Sequence, residues 1–221
     1  MIPTTAVAIS GGVDSLMAAF FLQQQGQRVI GIHFVTGFEA ATSSTPDPAR
    51  DDELPVHHIG RQLGIPIKVI DIRHEFKTGI VDYFCRTYRE GQTPNPCMRC
   101  NPTIKFGTIY NFANTLGAQK LATGHYARVR SQNGRRFHLL RGLDDSKDQS
   151  YFLAFLTQKQ LKHACFPLGE MKKAEVKSLA RKIGLKPVAQ NESQDVCFIR
   201  NKTYSQFLAE HTGEARPFMG G

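Results

Sequence analysis

The sequence predicts an α/β protein whose mostly parallel sheet is flanked by helices on both faces. Strand-like and helix-like segments alternate from the first residues onward, as in consecutive βα units. Hydrophobic residues make up 41% of the 221 residues and charged residues 21%, which is typical of a globular protein with one full core.

The predicted elements of the first half follow in order. Strands are predicted at residues 6–10, 28–35, 67–72 and 120–123. Helices are predicted at residues 13–25, 57–63, 76–89 and about 105–116. Gly26 and Gly64 close the first two helices, because glycine readily adopts the left-handed conformation that ends many helices. Residues 36–52 and 91–102 contain many proline, small or polar residues and are predicted loops.

The second half is more irregular. Residues 126–142 are predicted to form a hairpin that turns at Asn133 and Gly134. Residues 148–183 have a helical pattern, and an irregular stretch follows. Cys85 and Cys165 lie in amphipathic helical patterns, which favours a structural role in the core.

Positive charge is concentrated in one part of the chain. Residues 86–141 hold ten basic residues and one acidic residue, whereas the remainder holds 18 of each sign. This segment carries the whole net charge of +9, so we expect a polyanionic partner, most commonly a nucleic acid. A solubilising surface or a site for ATP alone would also account for it.

The cysteines and the first residues indicate the compartment. Five cysteines are an odd number, and the sequence opens without a basic, apolar leader. We therefore expect a cytoplasmic protein whose thiols react or bind a ligand. The uninterrupted apolar runs are only a few residues long, so we expect no membrane contact.

The first chemical motif, Ser-Gly-Gly-Val-Asp-Ser, lies where the first strand meets the first helix. Glycines allow a tight turn there, and backbone N–H groups at a helix N-terminus bind anions. No Gly-Lys-Ser/Thr follows, so this is not a Walker A loop. The motif resembles the loop of enzymes that cleave ATP between the α and β phosphates, with Asp14 as the Mg²⁺ ligand. The predicted ATP-binding residues of this segment are Ala8, Ile9, Ser10, Gly11, Gly12, Val13, Asp14 and Ser15.

Cysteines form the other motifs. Two prolines precede Cys97 and Cys100, and we expect an extended approach that presents both thiols outside a helix. Arg99 and two arginines upstream would favour the thiolate form if they lie nearby. A single Cys-x-x-Cys fits half of a zinc site, a redox pair or two ligands of an iron–sulfur cluster. Cys197 has apolar neighbours and, taken alone, indicates a core position.

Together, five motifs resemble those of the tRNA 2-thiouridylases of the MnmA family. They are residues 10–15, 93–106, 122–126, 147–151 and 193–198, and the resemblance covers about residues 7–213. It implies an adenine nucleotide alpha-hydrolase-like fold (PP-loop ATP pyrophosphatase), with ATP and Mg²⁺ as cofactors and tRNA as partner. It also implies adenylation of uridine O2 at wobble position 34, followed by insertion of sulfur at C2.

The same resemblance assigns roles to single residues. Cys100 and Cys197 match the catalytic cysteines, and Cys197 would receive the persulfide sulfur. Phe34, where methionine is expected, and Gly124 match nucleotide-site positions. His125 would contact nucleotide or tRNA phosphate, or else be a buried, hydrogen-bonded histidine. The residues that match tRNA-contacting positions are Asn95, Pro96, Cys97, Lys147, Asp148 and Gln149.

One departure from the family leaves two sulfur routes open. Cys97 stands where many members carry aspartate, so Cys97, Cys100 and Cys197 resemble the ligands of iron–sulfur-dependent tRNA thiolases. A [4Fe–4S] cluster would bind sulfide at an open iron, and the third cysteine favours this route. The persulfide route would instead leave a Cys100–Cys197 disulfide. The sulfur donor is accordingly either sulfide or a persulfide carrier.

A second departure concerns length. We expect residues 1–200 to form the catalytic domain and residues 201–221 to begin a truncated central domain that lacks a complete core. The family continues through this domain and a C-terminal β-barrel. Either a separate chain supplies these parts, the sequence is a truncated piece, or the substrate differs. Two alternative functions stay open: another tRNA thiolase that modifies a different base or atom, and a non-catalytic tRNA-binding or sulfur-carrier subunit.

Overall fold

The computed structural model describes residues 2–39, 54–189, 196–200 and 202–212. Within these ranges, five parallel strands form one sheet in the order β3-β2-β1-β4-β7, and β5 pairs with β6 in an antiparallel hairpin. The strands are β1 Thr4–Ala8, β2 Arg28–Val35, β3 Ile67–Asp71, β4 Lys120–Ala122, β5 Ala127–Gln132, β6 Arg136–Arg141 and β7 Ala164–Cys165. The predicted parallel α/β sheet is confirmed.

Helices connect the strands. The α-helices are α1 Val13–Gln24, α2 Val56–Leu63, α3 Arg73–Phe76, α4 Asp82–Arg89, α5 Pro96–Cys100, α6 Tyr110–Thr115, α7 Gln158–His163, α8 Lys173–Lys182 and α9 Tyr204–Thr212. The π-helical segment Lys77–Val81 joins α3 to α4, and a second one, Asn101–Ile109, joins α5 to α6. Ser150–Leu153 forms a 3₁₀ turn.

The central strand β1 is buried on both faces of the sheet. Ala6 and Ala8 contribute to one hydrophobic core, which contains side chains of α4 and α9. Val7 and Ile9 contribute to the other, which contains side chains of α1, α2 and α8. Successive residues of a strand point to opposite faces, so helices must cover both. A buried Val or Ile side chain contributes about 1.5–3 kcal/mol to the free energy of folding.

An aromatic cluster joins α9 to the rest of the domain. The ring of Phe198 lies with its centroid 5.8 Å from Phe76, 5.2 Å from Phe84 and 5.3 Å from Phe207 of α9. Phe38 is a further neighbour at 5.9 Å. Phe207 is only 3% exposed, so α9 packs into the same hydrophobic core as β1 and α4. This differs from the expectation that the last residues lack a complete core; residues 213–221 lie outside the described ranges.

Two local predictions are wrong. Residues 96–102, predicted to belong to a loop that presents Cys97 and Cys100 outside a helix, are helical, because Asn95 caps α5 by accepting a hydrogen bond from the Met98 N–H at 3.1 Å. Pro96 occupies the first helical position, where its missing N–H costs nothing. Residues 148–183 are not one helical stretch, because the short strand β7 pairs with β4. Cys165 therefore lies in a strand, half-buried, and not in an amphipathic helix.

Candidate active site

The candidate site lies at the carboxyl ends of the sheet strands. The chain runs from β1 to β2 on one side of the sheet and returns to β4 on the other side. Such a reversal of strand order opens a crevice beyond the strand ends, where α/β proteins bind ligands. The segments after β1 and β4, residues 9–12 and 123–126, both start at this edge.

The loop after β1 is held in shape by its own polar groups. Gly11 has φ +89°, a conformation that favours glycine. The Ser10 N–H donates to Ser15 Oγ at 3.2 Å, and Ser15 Oγ donates to the Gly12 carbonyl at 3.0 Å. Gly12 begins α1 without a side-chain cap, so the first N–H groups of this helix form a site for an anion.

Gly124 packs directly on this loop. A Cβ atom at residue 124 would lie 2.7 Å from Asp14 Cβ, 2.8 Å from Asp14 C and 2.9 Å from Ser15 N. These contacts are shorter than any that real Cβ atoms make, so only glycine fits. The close approach explains on steric grounds why glycine stands at this position.

Asp14 accepts hydrogen bonds on both carboxylate oxygens. The Tyr126 hydroxyl donates to Oδ1 at 3.0 Å, and Lys173 Nζ donates to Oδ2 at 2.6 Å. The Asp14 side chain is still 32% exposed, and each oxygen has a further lone pair. Mg²⁺ prefers oxygen ligands and is commonly bound by one or two carboxylates together with substrate phosphates. Asp14 therefore fits a Mg²⁺ ion that is shared with phosphate groups.

Lys173 is a site residue that the sequence analysis missed. Its side chain is 9% exposed, and it reaches Asp14 across 159 residues of sequence from the first position of α8. No motif surrounds it that would distinguish it from an ordinary surface lysine of an amphipathic helix. Tyr126 was part of a motif, but its bond to Asp14 was not foreseen.

Phe34 lies near the end of β2, beside the strand that leads into the loop. It is half-buried, and its ring stacks on that of His33 with the centroids 6.4 Å apart. His33 Nδ1 lies 2.9 Å from the Ile9 carbonyl, so this nitrogen carries the proton and donates. Phe34 thus lies at the same edge of the sheet as the loop after β1.

The motif cysteines act on one another electrostatically. Burial raises the pKa of Cys100 to about 12; the nearby Lys105 lowers it, and Cys197 and Cys97 raise it further. Burial also raises the pKa of Cys197, although the residue has an exposed surface; Lys105 again lowers it and Cys97 raises it. The fold therefore brings Cys97, Cys100 and Cys197 into one neighbourhood with Lys105 as a shared cation.

The charge that influences these thiols is not the expected one. Arg99 lies over the ring of Tyr83, 4.7 Å from its centroid, and its Nε donates to the Gly79 carbonyl. It points towards α4 and its preceding π-helical segment, and Lys105 faces Cys100 instead. Arg99 therefore does not meet the condition under which it would favour the thiolate of Cys100, and burial keeps this thiol protonated at neutral pH.

The three cysteines do not form a ready ligand set for an iron–sulfur cluster. In the described part of the chain, no three His, Cys, Asp or Glu side chains come together as a group that could hold a metal ion. In this conformation the cysteines do not fit a [4Fe–4S] cluster.

His125 is a neutral, hydrogen-bonded histidine. Its Nε2 lies 3.4 Å from Lys105 Nζ and its Nδ1 lies 2.7 Å from Thr123 Oγ1. An ammonium group only donates, so Nε2 accepts and Nδ1 carries the proton. Burial and then the charge of Lys105 hold the pKa of His125 well below its usual range. The ring thus links Lys105 to the segment after β4.

The segment predicted to contact tRNA is bonded to Tyr126. Gln149 Oε1 accepts from the Tyr126 N–H at 3.0 Å, and the Gln149 N–H donates to the Tyr126 carbonyl at 2.9 Å. Asp148 Oδ1 accepts from the Gly142 N–H, and Oδ2 accepts from Ser150 Oγ at 2.8 Å. Lys147 is exposed. Asn95 and Pro96 also shape the chain here, since Asn95 caps α5 and Pro96 is its first residue.

The hairpin that was predicted at residues 126–142 is confirmed, with Asn133 and Gly134 both at positive φ. Arg130, Arg135 and Arg136 lie exposed on it and form a basic surface.

A family model described as the tRNA methyl transferase HUP domain matches residues 3–201. The chain belongs to this family. The resemblance to the MnmA family is confirmed as well, by the relatives that follow.

Two curated relatives illustrate the similarity. The chain is 45% identical over 207 residues to "tRNA-specific 2-thiouridylase MnmA" of Desulfosudis oleivorans, covering 93% of this chain and 55% of the relative. It is 46% identical over 213 residues to the protein of the same name from Trichlorobacter lovleyi, covering 96% of this chain and 59% of the relative. The chain thus spans little more than half the length of these proteins.

A solved structure supports the fold assignment. NMN synthetase from Francisella tularensis superposes with a TM-score of 0.50 at 13% identity, covering 96% of this chain and 78% of that protein. The fold is that of the PP-loop ATP pyrophosphatases, as expected. No helical stretch in the described ranges combines the length and hydrophobicity that a bilayer crossing requires.

Proposed function

We propose that the chain is the catalytic part of an ATP-dependent tRNA thiolase, which adenylates uridine O2 and replaces that oxygen by sulfur, giving 2-thiouridine at wobble position 34. The observation that carries this proposal is the convergence of Cys100 and Cys197 on the same Lys105, in a domain with an anion-binding loop. The names of the MnmA relatives support the same reaction.

ATP would bind with its phosphates at the start of α1. The N–H groups there would hold phosphate oxygens, and Ser10 and Ser15 would donate to them from the loop. Mg²⁺ bound at Asp14 would neutralise phosphate charge and favour pyrophosphate as the leaving group. Uridine O2 would then attack the α-phosphorus, pyrophosphate would leave, and the base would carry AMP on that oxygen.

Sulfur transfer would proceed through a persulfide on Cys197, formed when the Cys197 thiolate takes the outer sulfur of a persulfide carrier and leaves the carrier as a thiol. Its terminal sulfur would attack C2 of the adenylated uridine, and AMP would leave with the original oxygen. The Cys100 thiolate would then attack Cys197 Sγ, forming a Cys100–Cys197 disulfide and releasing 2-thiouridine. An external thiol would reduce that disulfide. Burial keeps the Cys100 thiol protonated at neutral pH, so it must lose its proton for this step, and the charge of Lys105 offsets part of that cost.

The tRNA would lie across the basic hairpin, whose exposed arginines suit phosphate contacts. The target uridine must leave its stack to reach the cysteines. Asn95, Pro96 and Cys97 at the start of α5 would border its pocket, and Lys147 would contact the backbone.

The first experiment is an anaerobic incubation of the chain with ATP, Mg²⁺, sulfide or a persulfide carrier, and unmodified tRNA, followed by nucleoside mass analysis. We expect ATP-dependent 2-thiouridine and AMP. If AMP forms without 2-thiouridine, the remaining segment of the Desulfosudis relative is added as a separate chain. If 2-thiouridine and AMP do not both form when that segment is present, the proposed function is contradicted. Thiolation of another base or atom would favour the alternative thiolase.

Four variants separate the steps. Asp14→Asn should abolish AMP formation and leave tRNA binding intact. A non-catalytic tRNA-binding subunit would form no AMP even before the substitution. Cys100→Ser and Cys197→Ser should abolish thiolation and retain adenylation. Cys85→Ser is the matched control, because this thiol is buried in α4 and takes no part in the proposed chemistry.

Cys97→Asp distinguishes the two sulfur routes. The persulfide route predicts that this variant stays active and that non-reducing mass analysis finds the Cys100–Cys197 disulfide after turnover. Loss of activity together with loss of bound iron would favour the cluster route. We favour the persulfide, because the three cysteines form no metal-holding group in the described residues.

A further inference from the structure

Asp14 and Lys173 form the most deeply placed ion pair at the candidate ATP loop. Lys173 Nζ lies 2.6 Å from Asp14 Oδ2, and the lysine side chain is 9% exposed against 32% for the aspartate. A buried ammonium group is costly unless an anion faces it. The aspartate is thus neutralised by the protein on one side and open to solvent on the other.

The position of Lys173 is itself fixed. Its backbone N–H donates to Asp144 Oδ2 at 2.9 Å, while Asp144 Oδ1 accepts from the Ser146 hydroxyl at 2.7 Å. The ammonium group also lies 5.7 Å from the centroid of the Tyr126 ring. Tyr126 donates to the other oxygen of Asp14. Both donors to Asp14 are therefore anchored from outside the loop.

We propose that Lys173 is an exchange cation and a phosphate-binding residue of the ATP site. Without nucleotide it neutralises Asp14. When Mg²⁺ with ATP arrives, Asp14 turns to the metal ion and Lys173 binds the oxygens of the β or γ phosphate. This inference rests on the proposed ATP-dependent function and assigns to this chain the group that holds the pyrophosphate.

Charge balance supports the exchange. The buried ammonium needs an anionic partner at every stage, and phosphate oxygens beside Asp14 would supply one when the carboxylate binds the metal ion. If Lys173 did not move to the phosphate, the Asp14 carboxylate would have to hold both a Mg²⁺ ion and an ammonium group. Lys173 thereby lowers the affinity of the free protein for a bare divalent cation and raises its affinity for nucleotide.

The test measures two affinities in Lys173→Met, which keeps an apolar stem of similar length without the charge. Mn²⁺ binding in the absence of nucleotide is followed by electron paramagnetic resonance, and ATP binding at saturating Mg²⁺ by calorimetry. We expect Mn²⁺ to bind at least about tenfold more tightly and ATP at least about tenfold more weakly, as for one charged hydrogen bond. Lys172→Met is the matched control, because Lys172 is adjacent in the sequence and its own side chain is exposed.

Tighter Mn²⁺ binding together with weaker ATP binding distinguishes the exchange from a structural role of Lys173. A variant that is merely misfolded would lose affinity for both ligands, and that result or an absence of change in either affinity overturns the inference. Lys173→Gln, which retains a donor for Asp14, is measured in parallel with urea unfolding. If neither variant folds, Lys173 is a structural residue and the inference is wrong. If the unaltered chain does not bind ATP, the proposed function fails first.

Discussion

Gly124→Ala adds a single methyl group, and we expect it to distort the loop after β1. The added Cβ would lie 2.7–2.9 Å from Asp14 Cβ, Asp14 C and Ser15 N, whereas ordinary contacts begin at 3.4 Å. The segment after β4 and the first turn of α1 would have to separate by about 0.5–0.7 Å. Overpacking of this kind typically costs 1–3 kcal/mol, and we expect about that loss in the free energy of unfolding.

The assay combines urea unfolding with ATP calorimetry. Because two of the three contacts are backbone atoms, the loop itself must move, so ATP affinity should fall more than stability alone explains. Gly79→Ala is the control, since a Cβ there meets nothing within 4 Å and glycine is unfavourable in a helix. Gly79→Ala should be neutral or slightly stabilising. Unchanged stability and ATP affinity in Gly124→Ala would refute the steric reasoning.

Other predictions concern the thiols and the aromatic cluster. Lys105→Met should raise the pKa of Cys197 and slow its alkylation at mildly alkaline pH; faster alkylation would contradict the shared-cation role. The pKa of Cys100 rises on folding from 9.0 to about 12, so the unfolded chain loses this proton first and stability should fall as pH increases from 9 towards 12. Cys100→Ser should show a smaller fall in urea unfolding between pH 9 and about pH 11, and an equal fall would disprove the assignment. Phe207→Ala should reduce the free energy of unfolding by about 3–5 kcal/mol, and a loss under about 1 kcal/mol in urea would show that α9 packs loosely.

The sequence was sufficient for the order of elements because local signals agree with the fold. The left-handed glycines Gly26 and Gly64 end α1 and α2 where the chain pattern also changes. Asn133 and Gly134 form the turn that their type predicts. The strand β7 was missed because two residues carry no periodicity, and only pairing with β4 makes them a strand.

The candidate site was predictable where a motif spans several residues. The loop residues around Asp14 form such a motif, whereas Lys173 is a single residue whose importance arises from a contact across 159 positions. The thiol environment was misjudged for the same reason. The burial of Cys100 and the position of Lys105 near it depend on the helical conformation of residues 96–109. Two prolines had instead indicated a loop at residues 91–102.

The aromatic cluster around Phe198 has a consequence for how this protein tolerates variation. Phe198, next to the proposed sulfur acceptor Cys197, is packed among rings from four separate segments. The location of Cys197 therefore depends on the volumes of side chains that take no part in the proposed chemistry. Changes at Phe38, Phe76 or Phe207 should therefore be non-additive, because neighbouring core residues share the space that each substitution opens. In a directed-evolution library, acceptable replacements at these rings would arise as compensating pairs.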